Sequence, residues 1–220
     1  MSRGGTLRFS AGEVRDLVVA WLVLGAAFAI FFENGVWGIR RAVLQSGPGI
    51  LLVILVVSLF TAGVAFLLHE LAHKVVAVHY GQVARFRADY SMLFLAVMSA
   101  LVGFLFAAPG AVHHRGRISK RQNAMVALAG PATNVALAVV FAPVAAAGAL
   151  VGSPLLALVG ARGLAVNLFL AAFNLVPFGG LDGRTVADWH WGAWALTFLP
   201  TAAVAVVVVF GLGIGFGGGV

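Results

Sequence analysis

The strongest chemical signal in the 220-residue chain is His69-Glu70-Leu71-Ala72-His73, an H-E-x-x-H pattern that directly continues the apolar run Ile50–Leu68. On a helix, residues four apart lie on one face a turn apart, so two imidazoles can grip one metal ion while Glu70 lies alongside. Glu70 is then placed to take a proton from an attacking water, which is hydrolytic metal chemistry. The chain has six histidines and no cysteine, so thiolate ligands and disulfides are excluded and any metal must be held through His, Asp or Glu. Ionisable groups at membrane depth are costly and usually functional, which argues against reading these residues as a simple helix cap.

A catalytic zinc normally takes three protein ligands and leaves one position for water, so a third donor must come from elsewhere in the chain. Glu13, Asp16 and Glu33 flank the first apolar run, Asp89 sits in a basic loop, and Asp188 precedes Trp189-His190-Trp191. Asp182 differs from these because it closes a long apolar segment, in Asn174-Leu-Val-Pro-Phe-Gly-Gly-Leu-Asp182-Gly183. Pro177, Gly179, Gly180 and Gly183 break the helix there, and a broken helix can turn a carboxylate sideways into a bundle.

The elements that must position these residues are membrane helices. Hydrophobic residues make up 62% of the chain and charged residues 10%, with mean hydropathy +1.05, far more apolar surface than a soluble domain can hide. Six stretches lack any Asp, Glu, Lys or Arg: Leu17–Phe32, Ala42–Leu68, Tyr90–Val112, Gln122–Ala161, Gly163–Leu181 and Trp189–Val220. The net charge of +7 lies between these stretches and reads as a topology signal, which argues against a nucleic-acid partner. Arg3, Arg8 and Arg15 before the first run resemble the start of a signal peptide, but no small-residue cleavage pattern follows, so a retained first span is expected.

Charge and depth together constrain one segment. If Tyr90–Val112 crossed the membrane, Arg115, Arg117, Lys120 and Arg121 would lie outside, and Asp182 would end about 30 Å from His69. If it enters and returns on the same side, the basic cluster is inside and Asp182 reaches the depth of the histidines. Ser99, Gly103, Pro109 and Gly110 offer places to bend. The expected fold is therefore an all-α polytopic membrane protein of about five transmembrane helices plus a re-entrant or hairpin segment near 90–112. Residues 1–220 read as a single domain with its core motifs at 63–188 and no separate soluble domain.

On these residues the chain resembles the site-2 protease family of intramembrane zinc metalloproteases. HELAH matches that family's zinc-binding helix, Asn174 to Gly183 its N-x-x-P-x-x-x-L-D-G pattern, and Ala129-Gly130-Pro131-Ala132-Thr133-Asn134 its small-residue motif on the intervening helix. The resemblance implies a zinc ion held by His69, His73 and Asp182, Glu70 as base, and Asn174 beside the metal, assisting substrate binding or oxyanion stabilisation. It also implies a transmembrane-helix protein as substrate, cut within or near the lipid bilayer. The expected location is a multi-pass protein of the cell membrane with its site towards the cytoplasm.

Two rival readings are a small ion transporter or channel and a catalytically silent homologue that binds a membrane partner. No inverted repeat supports the first. The joint presence of His69, Glu70, His73 and Asp182 opposes the second. Asn134 and Asn167, polar residues in apolar spans, read first as interhelical hydrogen-bonding groups. His79, His113, His114 and His190 read as interfacial, and Trp189, Trp191 and Trp194 as an aromatic belt. Gly211–Val220 reads as a frayed helix end.

Overall fold

The structure, a computed structural model, describes residues 6–106 and 109–215. Among the described residues the framework is five helices long and apolar enough to cross a membrane: Ala11–Phe32, Ile50–His79, Lys120–Leu150, Pro154–Asn174 and Trp191–Gly211. We number the helices α1 (Ala11–Phe32), α2 (Gly35–Ser46), α3 (Ile50–Ser58), α4 (Val64–His79), α5 (Tyr90–Leu101), α6 (Lys120–Leu150), α7 (Pro154–Asn174), α8 (Asp182–Trp189) and α9 (Trp191–Ala205). The strands are β1 (Val83–Ala88) and β2 (Gly110–Arg115). This is the all-α polytopic architecture expected from the sequence, with one small sheet added.

Local chemistry explains where the helices begin. Ser10 caps α1 by accepting from the Glu13 N–H, and Ser119 and Gln122 form a reciprocal capping box at α6. Ser153 caps α7, with Pro154 at the first helical position, where the missing N–H costs nothing. α3 and α4 form one span joined by a π-helical turn, Leu59–Gly63. The wider turn loosens the backbone ladder, and the Trp21 indole N–H donates to the Leu59 carbonyl at 3.1 Å. Gly63 lies against the same indole, in space that a Cβ would fill.

The segment between α4 and α6 does not cross. β1 pairs antiparallel with β2, Val83 opposite Arg115 and Ala88 opposite Gly110, so the chain that leaves the sheet at Ala88 returns to it at Gly110. Twelve-residue α5 descends beside α1, capped by Asp89, and turns at Gly103, whose φ of +80° favours glycine. Ser99 fixes the turn, its hydroxyl donating to the Ala96 carbonyl and accepting from the Phe106 N–H. The re-entrant excursion is thus a helix that leaves the sheet and a chain that returns to it; of the expected bends the turn falls at Gly103, while Ser99 stays within α5 and Gly110 opens β2. Spans α6 and α7 then pass out and back, which returns the end of α7 to the end of α4.

α6 and α7 make the closest helix pair. A Cβ on Gly148 would overlap the Ala157 backbone, and one on Gly160 the Ala145 backbone, so small residues let the two helices pack backbone to backbone. The acids near α1 are also accounted for. Glu13 accepts from Lys74 at 2.6 Å and from the Phe86 N–H at 3.0 Å, tying α1 to α4 and β1. Asp16 accepts from the Tyr90 hydroxyl, and Glu33 from Arg162 at 2.7 Å.

Glu13 and Lys74 are both almost fully buried, so removing one partner leaves the other charged and unpaired. Lys74→Ala is expected to cost about 3–5 kcal/mol, whereas the double change Glu13→Gln/Lys74→Met recovers much of that loss. Thermal unfolding in detergent checks this, and equal melting of wild type and Lys74→Ala would show that the pair is not structural.

Candidate metal centre

α4 carries His69, Glu70 and His73 into the bundle, all buried. Each imidazole is oriented through its Nδ1 by α6. His69 Nδ1 lies 2.6 Å from Asn134 Oδ1, and His73 Nδ1 lies 2.7 Å from the Val126 carbonyl. A carbonyl oxygen can only accept, so both rings carry their proton on Nδ1 and turn the Nε2 lone pair inward.

The two Nε2 atoms stand 2.9 Å apart. Asp182 Oδ2 lies 3.4 Å from the first and 3.3 Å from the second. Three lone-pair atoms crowded this closely repel one another unless a cation lies among them. Among the described residues, His69, His73 and Asp182 are the group of His, Cys, Asp or Glu side chains able to hold a metal ion.

Further observations fit a metal here. Asp182 Oδ2 and Glu70 Oε2 are buried without a hydrogen-bond partner, an arrangement whose cost a bound ion and its water would remove. Gly130 on α6 faces both imidazoles, and a Cβ there would overlap the two rings. The all-nitrogen-and-oxygen donor set, closed to a triangle and buried, suits zinc with a fourth position left open.

Asp182 reaches the site because α7 stops at Asn174 and the chain loops through Pro177 and Gly179 into α8, whose first residue is Asp182. Trp194 of α9 holds the loop, its indole N–H donating to the Leu175 carbonyl at 2.8 Å. Gly183 lies against the backbone of Leu175, leaving no room for a side chain. Trp194 thus does more than sit in an aromatic belt.

The structure brings together His69, Glu70, His73 and Asp182. Asn174 sits one loop away, and its amide donates to the Leu170 carbonyl of its own helix at 3.0 Å. Asn134 acts on the site directly. Besides His69 it binds the Ala65 carbonyl and, at 2.9 Å, Asn167 Oδ1, while Asn167 donates to the Gly163 carbonyl. Interhelical bonding describes both asparagines, but one of those bonds ends on a candidate ligand. The four-residue spacing from Gly130 to Asn134, one helical turn, was the signal for a shared face.

β2 runs along the other side of the site, with the Val112 backbone beside the Glu70 carboxylate. His114 follows on the same inward face, opposite Ala84. Burial holds His114 below the ordinary histidine range, so at neutral pH it stays uncharged beside the site. His190 has a structural task, capping α9 by accepting from the Ala193 N–H.

No family profile matches the chain, and no solved structure does. A protein of Methanocaldococcus jannaschii named "Putative zinc metalloprotease" is 37% identical over 197 residues, covering 88% of this chain and 92% of that protein. That similarity leaves only about 12% of this chain outside it. The chain belongs to the same zinc metalloprotease family as this archaeal protein.

Proposed function

We propose that the chain is a zinc-dependent intramembrane endopeptidase of the site-2 protease type, cutting a peptide bond within or near a transmembrane helix of another membrane protein. The observation that carries this reading is the convergence of His69, His73 and Asp182, with Glu70 alongside, at one end of membrane-length helices. His69, His73 and Asp182 would hold the zinc ion. When bound, zinc supplies Lewis acidity, lowering the pKa of a water and polarising a substrate carbonyl.

The chain's own residues do the rest. Glu70 takes a proton from the attacking water and returns it to the leaving amine, so one carboxylate serves as base and then as acid. Its second oxygen has no competing hydrogen bond. Asn134 and the Val126 carbonyl lock the two imidazoles in one tautomer and one orientation. Asn174 is proposed to donate to the developing oxyanion after breaking its bond to Leu170, an effect worth about 3–4 kcal/mol where such a donor is essential.

A transmembrane helix keeps its carbonyls in internal hydrogen bonds, so the substrate must unwind before it can react. β2, paired on one side with β1 and passing Glu70, offers a strand against which an unwound segment can lie. The site is assigned to the cytoplasmic side because Arg85, Arg87, Arg115, Arg117, Lys120 and Arg121 cluster on its face of the bundle.

Coexpression with single-span substrates tests the chemistry. Wild type should release fragments and Glu70→Gln should not, with Asn174→Ala slowed about a hundredfold or more; substrates with Gly, Pro or Asn near the cut should be preferred. Identical fragments from zinc-loaded wild type and Glu70→Gln would overturn the protease reading. Bound zinc tests the site itself. Gly130→Ala should lose the ion by steric overlap, and Asn134→Ala should bind it about 10–100-fold more weakly, both by elemental analysis of folded protein. Undiminished zinc in Gly130→Ala would exclude these ligands.

The absence of cysteine makes sidedness direct to measure. A single cysteine at Arg117 should react with an impermeant maleimide only after the cytoplasmic side is opened, and one at Ser46 should react in intact cells. The reverse pattern would place the site on the outer face.

A further inference from the structure

The end of the bundle farthest from the metal centre has a separate chemistry. α1 finishes there, α2 follows and α3 begins there, and an apolar cavity of about 280 Å3 opens among them. Ala29 and Ile30 of α1, Ile39 of α2, Leu51 and Leu55 of α3 and Leu101 of α5 line it. Leu51 precedes His69 by 18 residues on one span, about 27 Å of helix, so the cavity lies near the opposite membrane surface.

α2 is built for that surface. Gly38, Ile39, Ala42 and Val43 turn towards the bundle, while Trp37, Arg40, Arg41 and Leu44 are exposed. This is the pattern of a helix lying in the interface plane, with an aromatic ring at headgroup level. Charge makes the feature specific. Glu33 at this end is matched by buried Arg162 at 2.7 Å, so that pair cancels. Among the described residues no acid forms an ion pair with Arg40 or Arg41. Two unmatched positive charges therefore stand on the face that the positive-inside tendency leaves without them.

A cavity lined only by hydrocarbon groups does not hold water, and its mouth at half-exposed Val36 and Leu51 opens where lipid chains are the solvent. We infer that α2 and this cavity form a binding site for an anionic phospholipid, one chain in the cavity and the phosphate against Arg40 and Arg41. The guanidinium groups supply forked, charge-assisted hydrogen bonds to phosphate oxygens, and the cavity supplies a place for the chain that the flat bilayer does not. The site is independent of the metal centre and of any proteolytic activity.

Native mass spectrometry of the purified full-length protein, given phosphatidylglycerol or phosphatidylcholine in detergent, tests the inference. Wild type should retain phosphatidylglycerol in preference to phosphatidylcholine by about thirtyfold, the scale of two basic residues at a lipid surface. Arg40→Gln/Arg41→Gln, both exposed, should erase that preference. Ala26→Leu, which fills the cavity from α1, should lower retention of both lipids, with a thermal melt confirming the fold. Equal retention of the two lipids by wild type, unchanged selectivity in the arginine variant, or a dimer in place of the lipid adduct would overturn the proposal.

Discussion

The fold depends on a depth requirement. Charged groups are expensive in hydrocarbon, so the two imidazoles and the carboxylate that meet at 2.9 to 3.4 Å must arrive at one level of the membrane from helices far apart in sequence. His69 and His73 arrive at the end of a span, and Asp182 arrives just after another. Both spans must therefore run in the same direction, which demands an odd number of crossings between them, here the single span α6, and a 90–110 segment that adds none. The excursion from Ala88 to Gly110 satisfies that parity by going in and coming back. Its helix supplies internal hydrogen bonds on the way down, and pairing of β1 with β2 supplies them at the mouth.

Packing at the site follows from the same requirement. α6 crosses beside α4 and must come close enough to orient both imidazoles, which is why Gly130 stands where a methyl group would collide with the rings. One turn on, Asn134 joins α4, α6 and α7 through His69, the Ala65 carbonyl and Asn167. A polar network inside an apolar bundle has few alternative partners, so it sets the rotation of three helices at once. The Glu13–Lys74 pair and its bond to Phe86 perform a similar service for α1 and β1.

Much of this was legible in the sequence, for reasons that differ from residue to residue. The α4 motif is local, with a four-residue spacing that has one meaning on a helix. Asp182 was recoverable because proline and glycine break the helix just before it and because charge topology fixed its depth. Re-entry of 90–112 followed from the same charges, although the division into helix and return strand did not. The partners of Glu13, Asp16 and Glu33 were invisible, since their bonds span 61, 74 and 129 residues. Trp194 looked like an interfacial aromatic, and only the three-dimensional course of the chain brings its N–H to Leu175. No spacing rule encodes such contacts.

The π-helical turn Leu59–Gly63 has a consequence for how the second span is built. A helix advances about 100° per residue, so one extra residue in a turn changes the phase of everything beyond it. The half before the turn meets α1 and lines the apolar cavity, while the half beyond it presents His69 and His73 to α6. The turn acts as a rotational offset between the half of the helix that anchors and the half that carries the site, letting each be packed on its own terms.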